Sequence, residues 1–353
     1  MVKENLKLNL NFLFSMIRGL QKMTSPQFVS CSKKELNLKT VLLNGQSFRW
    51  KNHDSFVIGV ALNRIWKIWR EDDSRIGFEV LGRFPRCETS EINDAQDLKN
   101  YFQLNVNLTD LYSQWKSMDS HFASIFESTS GEGYFEGIRI LKQPLLETIF
   151  AFICSANNNI TRISRMVNTL SFLYGDKTTI GSVKEGIPME YYDFPSLEQF
   201  VENLDSMETT LRKKGFGYRA KYIAQTVKKL NSIENGFENF EKKLKSMDYS
   251  EAKMEIQKLD GIGPKVADCI CLMALGHHHV VPVDTHVFQI TANHYLSDLK
   301  KNKTVTDTVY KRIGSFYSEK FGSHAGWAHS VLFSTRLKRF NEDSDDVVKK
   351  KKK

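Results

Sequence analysis

The sequence lacks paired cysteines and long apolar runs, and each absence excludes a class of protein. There are five cysteines, an odd number, and none of them forms a Cys-x-x-Cys pair. This spacing argues against a disulfide framework, a structural zinc site and an iron–sulfur cluster, and it favours a reducing compartment. No apolar run is long enough to span a bilayer, and no small-x-small cleavage site follows the short apolar stretch near the start, so neither a membrane span nor secretion is expected.

The chain also has only a modest excess of positive charge. The formal net charge is +9, and the terminal lysines at 349–353 supply five of these charges, which leaves +4 for the rest of the chain. Such a balance suits a nucleic-acid partner, but many ordinary basic proteins share it. A hydrophobic content of 41% provides for a buried core. Composition therefore gives DNA binding only weak support.

Apolar periodicity divides the chain into two structured parts. Residues 27–135 begin with short segments such as LKTVLLNG and SFVIGVALN, which turn formers interrupt and which are typical of antiparallel strands. From about residue 94 the apolar residues recur every three or four positions, as they do in helices. Residues 136–340 continue this helical pattern. We therefore expect an α+β fold, in which an N-terminal antiparallel sheet precedes a larger, two-part helical domain.

Four other segments lack such periodicity. Residues 1–26 are expected to be a leader, and residues 341–353 a disordered tail. The terminal lysines favour a nuclear location, whereas an amphipathic mitochondrial presequence at the start stays open as a second destination. The stretch GDKTTIGSVKEGIPMEYYDF at 175–194 is expected to be a loop, and STSGEG at 128–133 a joint.

The residues with the clearest chemistry lie in LDGIGPKVADCICLMALGHHHVVPVDTH, at 259–286. Gly261 and Gly263 bracket a tight turn that ends at a helix start, where free N–H groups bind phosphate. Lys265 follows in the first helical turn, and the segment does not match a nucleotide-binding P-loop. Lys265 is either a phosphate-binding or solvated lysine or an amine nucleophile. For the nucleophile, the helix dipole and burial are expected to lower the amine pKa, and Cys269 lies on the same helix face.

Two other positions in this stretch have competing roles. Asp284 is suited to cap the helix that follows, and a capping carboxylate beside a pocket also stabilises a developing cation. His286 lies at the start of that helix, where it is able to contact phosphate. The run His277–His279 is consecutive in sequence and has no cysteine or carboxylate cluster beside it, which argues against a metal site.

Further segments match one known family in the same order along the chain. They are NGQSFRW (44–50), NYFQLNVNLTDLY (100–112), EGIRIL (136–141), FICSANNNITRI (152–163), GFGYRAKY (215–222) and AGWAHSVLFS (325–334). With the Gly/Pro-rich turn and its trailing aspartate, the chain resembles the eukaryotic 8-oxoguanine DNA glycosylases over roughly residues 40–340. The resemblance implies a helix–hairpin–helix motif near 249–275. It also implies base flipping, which glycosylases use as a class.

The resemblance assigns roles to individual residues of the reaction. Lys265 would attack the sugar C1′ and form a Schiff base that allows β-elimination, while Asp284 would stabilise the sugar cation. Cys269 and Phe333 would lie against opposite faces of the flipped base. The Gly45 carbonyl would accept the N7–H that oxidised guanine has and guanine lacks, a contact that separates the two bases strongly.

The resemblance also implies a set of DNA contacts. These are Asn157, Tyr218 and Arg219 in the space left by the flipped base, Arg162 on the orphaned cytosine, and the backbone amides of Gly263, Lys265 and Val266 on phosphate. From the residues alone, Asn157 could equally be a helix N-cap and Tyr218 a core residue. The carbonyls of Gln257, Leu259 and Ile262 match a monovalent-cation site, and no side-chain metal ligand or other cofactor is expected.

One position departs from the family pattern. His329 stands where the family usually has a glutamine that hydrogen-bonds the Watson–Crick edge of the base, and histidine differs from an amide in geometry and charge. We expect a monomeric bifunctional glycosylase/AP lyase that acts on double-stranded DNA containing 8-oxoguanine opposite cytosine. The alternatives are a related helix–hairpin–helix glycosylase for another damaged base and a non-catalytic DNA-binding protein.

Overall fold

The computed structural model describes residues 26–87, 93–127, 135–181, 189–302 and 304–336. It confirms the expected α+β fold, with a five-stranded antiparallel sheet followed by a helical part. The predicted tail, the joint at 128–133 and all of the predicted leader except residue 26 lie outside the described residues. Within the described residues, every helix is too short or too polar to cross a membrane.

The N-terminal sheet has its apolar, buried strands at the centre, and its two edge strands are mostly exposed. In sheet order the strands are β1 (Gln27–Ser30), β5 (Arg75–Arg83), β4 (Arg64–Arg70), β3 (Val57–Ala61) and β2 (Trp50–Asn52). All neighbouring strands are antiparallel, and the register shifts between Ile65 and Trp66, where β4 pairs with β5. Strand β3 is buried along its whole length, so the sheet has packing partners on both sides.

One segment expected to be a strand is helical. Residues Leu38–Leu43 form helix α1, which begins at Asn37, whose side chain accepts a hydrogen bond from the Thr40 amide. The β-branched and leucine-rich run LKTVLL favours a strand by propensity, but the asparagine cap and burial of one face decide for a helix. Gly45 lies just after this helix, in the segment that connects it to β2.

Helices make up most of the remaining described chain. Those that follow the sheet in sequence are α2 (Asp94–Tyr101), α3 (Leu108–Met118), α4 (Ser120–Glu127), α5 (Leu145–Ser155), α6 (Ile160–Tyr174), α7 (Leu197–Val201), α8 (Leu204–Lys213), α9 (Arg219–Asn231), α10 (Gly236–Ser246), α11 (Tyr249–Gln257), α12 (Pro264–Met273), α13 (Thr285–His294), α14 (Asp307–Phe321) and α15 (Ala325–Ser334). Helix α5 is almost completely apolar and runs through the core, as expected of a helix buried on all sides.

The segment expected to be a loop at 175–194 is partly ordered into a sheet. Strands β6 (Lys177–Ile180) and β7 (Met189–Tyr192) pair antiparallel, and Ile180 is buried against the N-terminal domain. The sequence hides this hairpin because its strands are short and polar. Helix α8 was also missed, since its apolar face consists of only three residues, Leu204, Met207 and Leu211.

A buried arginine joins the N-terminal part to the helical part. The Arg139 side chain is fully buried and donates to the carbonyls of Glu35, Phe102, Gln103 and Val106 at 2.6, 3.0, 2.6 and 3.2 Å. Its guanidinium also lies 2.7 Å from the Glu35 carboxylate. Because a buried cation is tolerated only when it is paired and hydrogen-bonded, these contacts fix the segment that leads from α3 and α4 into α5.

We therefore expect Arg139→Met to lower the free energy of unfolding by about 3–5 kcal/mol, since four carbonyls and a carboxylate lose their donor. Urea denaturation measures this. The matched control is Arg312→Met, which removes an exposed pair with Asp298 at 2.5 Å and should lower the free energy of unfolding far less. Equal losses for the two variants would contradict the role given to Arg139.

Candidate active site

The helix–hairpin–helix motif consists of α11, the turn at 258–263 and α12. A reciprocal capping box between Asp248 and Glu251 begins α11. In the turn, Gly261 has φ +79°, and an added Cβ would lie only 2.7 Å from the Tyr222 ring, so glycine is required there. Gly263 then caps α12, with Pro264 in the first helical position. The turn thus leaves the amides of Gly263, Lys265 and Val266 at a helix start, as the sequence predicted for phosphate.

Lys265, in the first turn of α12, lies against an aromatic ring and a thiol. The side chain is half-buried, and its ammonium lies 5.4 Å from the centre of the Phe152 ring. It is also within hydrogen-bonding reach of the Cys269 sulfur, one helical turn later, and Cys269 is buried. This environment is unlike that of a solvated surface lysine, and the thiol and the aromatic ring restrict where the amine can move.

Asp284 completes the charged part of the site. Its Oδ1 accepts a hydrogen bond from the Val287 amide at 2.9 Å, so the carboxylate caps α13 as the sequence indicated. Asp284 also lies close enough to Lys265 for its negative charge to affect the amine. The two predicted reaction residues, 19 positions apart in sequence, are therefore brought together by the fold.

The expected lowering of the Lys265 pKa is wrong. Burial by itself does lower the pKa of this amine, but the Cys269 sulfur and the Asp284 carboxylate raise it by more, and the net shift is upward. Burial also raises the pKa of the Cys269 thiol, against the lowering effect of Lys265. In the DNA-free protein, Lys265 is therefore an ammonium beside Cys269, and the nucleophile role expected for it requires that it first lose a proton.

His329 and Phe333 lie on one face of α15, next to this group. Their ring centres are 6.1 Å apart, and His286 packs edge-on against Phe333 at 5.9 Å. Only 8% of the surface of His329 is exposed. Neither of its ring nitrogens makes a hydrogen bond with a described residue. The Gly326 carbonyl lies nearby but not in hydrogen-bonding geometry. Burial lowers the pKa of His329 to about 4, which leaves a neutral ring with one donor and one acceptor to offer.

Gly45 is held against the same region from the N-terminal domain. It has φ +94°, and an added Cβ would come within 3.1 Å of Ile160 Cδ1. The Gln143 side chain donates to the carbonyl of Gln46 at 2.9 Å, and the Gln143 amide donates to the carbonyl of Met273, at the end of α12, also at 2.9 Å. Gln143 therefore ties the Gly45 turn to the helix that carries Lys265 and Cys269.

The predicted DNA-contacting loops form a second group. Arg219 is buried and donates to the carbonyls of Ala156 and Asn157, while the Tyr218 hydroxyl donates to Ala156 at 3.2 Å. Asn157 has φ +46° and is exposed; the N-cap of α6 is Asn159, so the capping alternative for Asn157 is wrong. Tyr218 is 47% exposed, so it is not a core residue.

Arg162 connects these loops to each other. Its guanidinium donates to the carbonyl of Gly215 at 3.1 Å, within the glycine-rich turn before Tyr218. Arg219, by contrast, would have to leave its carbonyl partners to enter DNA. In the described structure Arg219 supports Asn157 and Tyr218 from beneath. Its guanidinium carbon also lies 4.6 Å from the centre of the Tyr218 ring, a cation–π contact that adds to this support.

An open pocket of about 520 Å³ lies beneath the hairpin turn. Gln257, Leu259 and Ile262, whose carbonyls are the predicted monovalent-cation ligands, all line it. The Lys229 ammonium lies beside the pocket, 2.8 Å from the Asp260 carboxylate and 2.7 Å from the Lys258 carbonyl. Carbonyl oxygens on a tight turn fit a hard monovalent cation. Among the described residues, no group of three or more His, Cys, Asp or Glu could hold a metal.

Comparisons with known proteins agree with this geometry. Residues 28–149 match the family model described as "8-oxoguanine DNA glycosylase, N-terminal domain", and residues 150–314 match "HhH-GPD superfamily base excision DNA repair protein". The N-glycosylase/DNA lyase OGG1 of Arabidopsis thaliana is 34% identical over 86% of this chain and 78% of its own length. The N-glycosylase/DNA lyase of Saccharomyces cerevisiae is 34% identical over 88% of this chain and 85% of its own.

This chain belongs to the 8-oxoguanine DNA glycosylase family.

A solved structure extends the similarity to three dimensions. The 8-oxoguanine glycosylase/lyase of Clostridium acetobutylicum, in complex with double-stranded DNA containing cytosine opposite 8-oxoguanine, has a TM-score of 0.70 and 26% identity. The match covers 91% of this chain and all of that one. The two family models meet at residue 149, and the domain boundary expected at residue 135 stays a prediction.

Sequence reasoning missed three residues near the site of this glycosylase. Phe152 lies in an apolar helix and looks like an ordinary core residue until its ring is found beneath the Lys265 ammonium. Asp268 is almost fully buried on α12, and Tyr310 on α14 donates to its carboxylate at 2.5 Å. An aspartate within the apolar run VADCICLM was the one available signal, because a buried carboxylate requires partners.

The raised pKa of Lys265 predicts how excision depends on pH. We expect the rate of lesion excision to rise continuously with pH between about 6 and 9, because the raised pKa of Lys265 leaves ever more free amine as pH increases. Single-turnover excision, measured across this range, tests it. A rate that is flat or falls with pH would contradict the protonated resting state of Lys265.

The variant His329→Gln is the control for the histidine. Because the pKa of His329 is about 4, its ring does not titrate in this range, and the variant should follow the same pH profile as the unchanged protein. An inflection near pH 6–7, the ordinary range for histidine, that disappears in His329→Gln would show that the ring titrates in the active enzyme.

Proposed function

We propose that this chain excises 8-oxoguanine paired with cytosine from duplex DNA and then cleaves the abasic strand, as a bifunctional glycosylase/AP lyase in base excision repair. The observation that carries the proposal is the grouping of Lys265, Cys269 and Asp284 at the N-terminus of α12. A lysine nucleophile allows both base release and strand cleavage, because its sugar adduct is a Schiff base. A DNA clamp without chemistry has no use for this group.

The chemistry divides between the two charged residues. Lys265, once its proton has left, attacks C1′ as the bond from C1′ to the base nitrogen breaks, and that electron pair leaves with the base, which takes up a proton. Asp284, with one oxygen engaged in capping α13, keeps its negative charge beside the sugar, where positive charge develops. Ring opening gives the Schiff base, and loss of a C2′ proton then expels the 3′ phosphate.

The flipped base would lie among Gly45, Cys269, Phe333 and His329. Cys269 and Phe333 supply apolar surfaces for the base faces, and the Gly45 carbonyl is the acceptor for the N7–H of the oxidised base. His329 is buried without a described hydrogen-bond partner, and such a group is costly unless a ligand satisfies it. Its neutral ring would therefore bond the Watson–Crick edge in place of the usual glutamine.

The DNA backbone and the opposite strand would be held by the loops around the pocket. Phosphate would bind the amides of Gly263, Lys265 and Val266, with His286 at the start of α13. Asn157 and Tyr218 are exposed next to each other and would fill the gap left by the flipped base, with Arg162 on the orphaned cytosine. A monovalent cation on the carbonyls of Gln257, Leu259 and Ile262 would stiffen the hairpin and add positive charge near the phosphate.

Lys265→Gln is expected to abolish the covalent complex that borohydride traps on an 8-oxoguanine duplex, because the amide cannot form a Schiff base. Asp284→Asn should slow excision about 10²-fold or more while duplex binding persists, since it removes a charge that acts on the transition state. Lys245→Gln is the matched control: it removes an exposed lysine ammonium on α10, outside the reaction group and the hairpin turn, and should still be trapped.

A panel of duplexes decides between this function and its relatives. Excision should be fastest for 8-oxoguanine opposite cytosine and much slower for unmodified guanine, alkylated adenine or oxidised pyrimidine. Preference for one of the other bases would assign the chain to a different glycosylase activity. Tight duplex binding with no release of any base would favour the non-catalytic DNA-binding protein.

A further inference from the structure

The two reaction residues come from different segments, so something has to fix the distance between them. Lys265 lies on α12, whereas Asp284 follows an irregular stretch, residues 277–284, that has neither helical nor strand hydrogen bonding. An irregular backbone is easily displaced, and an error of about 1 Å in the placement of a reacting group can cost 10²-fold in rate. A contact that joins α12 directly to the backbone beside Asp284 would therefore affect the reaction.

Tyr310, on α14, makes that contact with one hydroxyl group. The hydroxyl donates to Asp268 Oδ2 at 2.5 Å and accepts a hydrogen bond from the Val283 amide at 3.3 Å. Asp268 is three residues beyond Lys265 on the same helix, and Val283 directly precedes Asp284. A single phenol thus links the helix of the nucleophile to the chain segment of the carboxylate.

The Asp268 carboxylate is a rigid anchor for this link. It is 1% exposed and is held by the Tyr249 hydroxyl at 2.7 Å and the Lys253 ammonium at 2.8 Å, both from α11. A buried carboxylate with three hydrogen-bonding partners has little freedom to move. Burial and the nearby Asp268 carboxylate raise the pKa of Tyr310, so the phenol keeps its proton and remains a donor at any working pH.

We infer that Tyr310 is a positioning residue for base excision: its hydroxyl, shared between Asp268 and the Val283 amide, sets the separation of the Lys265 amine and the Asp284 carboxylate. This inference rests on the proposed function. It does not make Tyr310 a catalytic residue, because nothing places its hydroxyl on the sugar or the base. It acts through Asp284, whose peptide nitrogen follows the anchored Val283.

Tyr249 provides a closely matched control. It too is half-buried and donates to Asp268, and the Lys253 ammonium lies 5.3 Å from its ring centre and 5.2 Å from that of Tyr310. The difference is the second partner, since the Tyr249 hydroxyl accepts from Lys253 at 2.9 Å, whereas the Tyr310 hydroxyl accepts from the segment of Asp284. Tyr249→Phe and Tyr310→Phe therefore each remove one hydrogen bond to Asp268, and only Tyr310→Phe also frees the Val283 amide beside Asp284.

The experiment compares the two variants in the full-length protein. Single-turnover excision from an 8-oxoguanine duplex requires Lys265 and Asp284 together, whereas borohydride trapping on a preformed abasic site depends chiefly on Lys265. For Tyr310→Phe we expect excision to fall about tenfold or more, with abasic-site trapping and affinity for an uncleavable 2′-fluoro lesion duplex changed less than about twofold. Tyr249→Phe should leave all three within about twofold, and thermal unfolding should show similar small losses for both variants.

Other results would overturn the inference in distinguishable ways. If both variants lose excision equally, or if Tyr310→Phe lowers excision and abasic-site trapping in parallel, the tyrosine only supports the hairpin structure. If neither variant changes excision, the link has no part in the reaction. If the unchanged protein releases no base from any duplex, the proposed function fails, and the role of Tyr310 fails with it.

Discussion

The constraint on which the site depends is that the fold holds the half-buried Lys265 amine close enough to both Cys269 and Asp284 for each to act on its charge. Two effects oppose the cation there, because the amine is half-buried and lies at the positive end of α12. The carboxylate and the Cys269 sulfur more than compensate for these effects, and the pKa of the amine rises as a result. The DNA-free protein therefore holds the proposed nucleophile, Lys265, as an ammonium near Asp284, the carboxylate proposed to stabilise the sugar cation.

Helix α12 is the element to which the other segments around the proposed base pocket are attached by hydrogen bonds. Its last residue, Met273, accepts a hydrogen bond from Gln143, which also holds the turn after Gly45. Its middle carries Asp268, which Tyr310 connects to the segment of Asp284. The Gly45 turn, Lys265 and the segment of Asp284 are thus all attached to one rigid element, as a site that must keep its geometry while a base is flipped into it requires.

The sequence was most informative where function fixes residues that are close together along the chain. One stretch of 26 residues, 259–284, contains the glycine turn, Lys265, Cys269 and Asp284. Local rules for turns and helix caps predict where these residues lie. The strands of the N-terminal sheet and most helices followed from periodicity. Helix α1 and the β6–β7 hairpin did not, because a side-chain cap and tertiary packing outweighed propensity in segments of four to six residues.

What could not be predicted depends on contacts between distant parts of the chain. Asp268 and Tyr310 are 42 residues apart, and neither has a local pattern that names the other. The sign of the Lys265 pKa shift likewise depends on how near two acidic groups lie, which spacing along a sequence does not give. His329 was recognised as a departure from the family, but its burial and its lack of a described hydrogen-bond partner are properties of the folded pocket.

The most direct test of the central claim is to locate the covalent bond between protein and DNA. The complex formed on an 8-oxoguanine duplex is reduced with borohydride, digested with protease and nuclease, and sequenced by mass spectrometry. The account predicts that the sugar remnant is attached to the ε-amine of Lys265. Attachment to another lysine or to the N-terminal amine would contradict it, as would base release with no adduct at all.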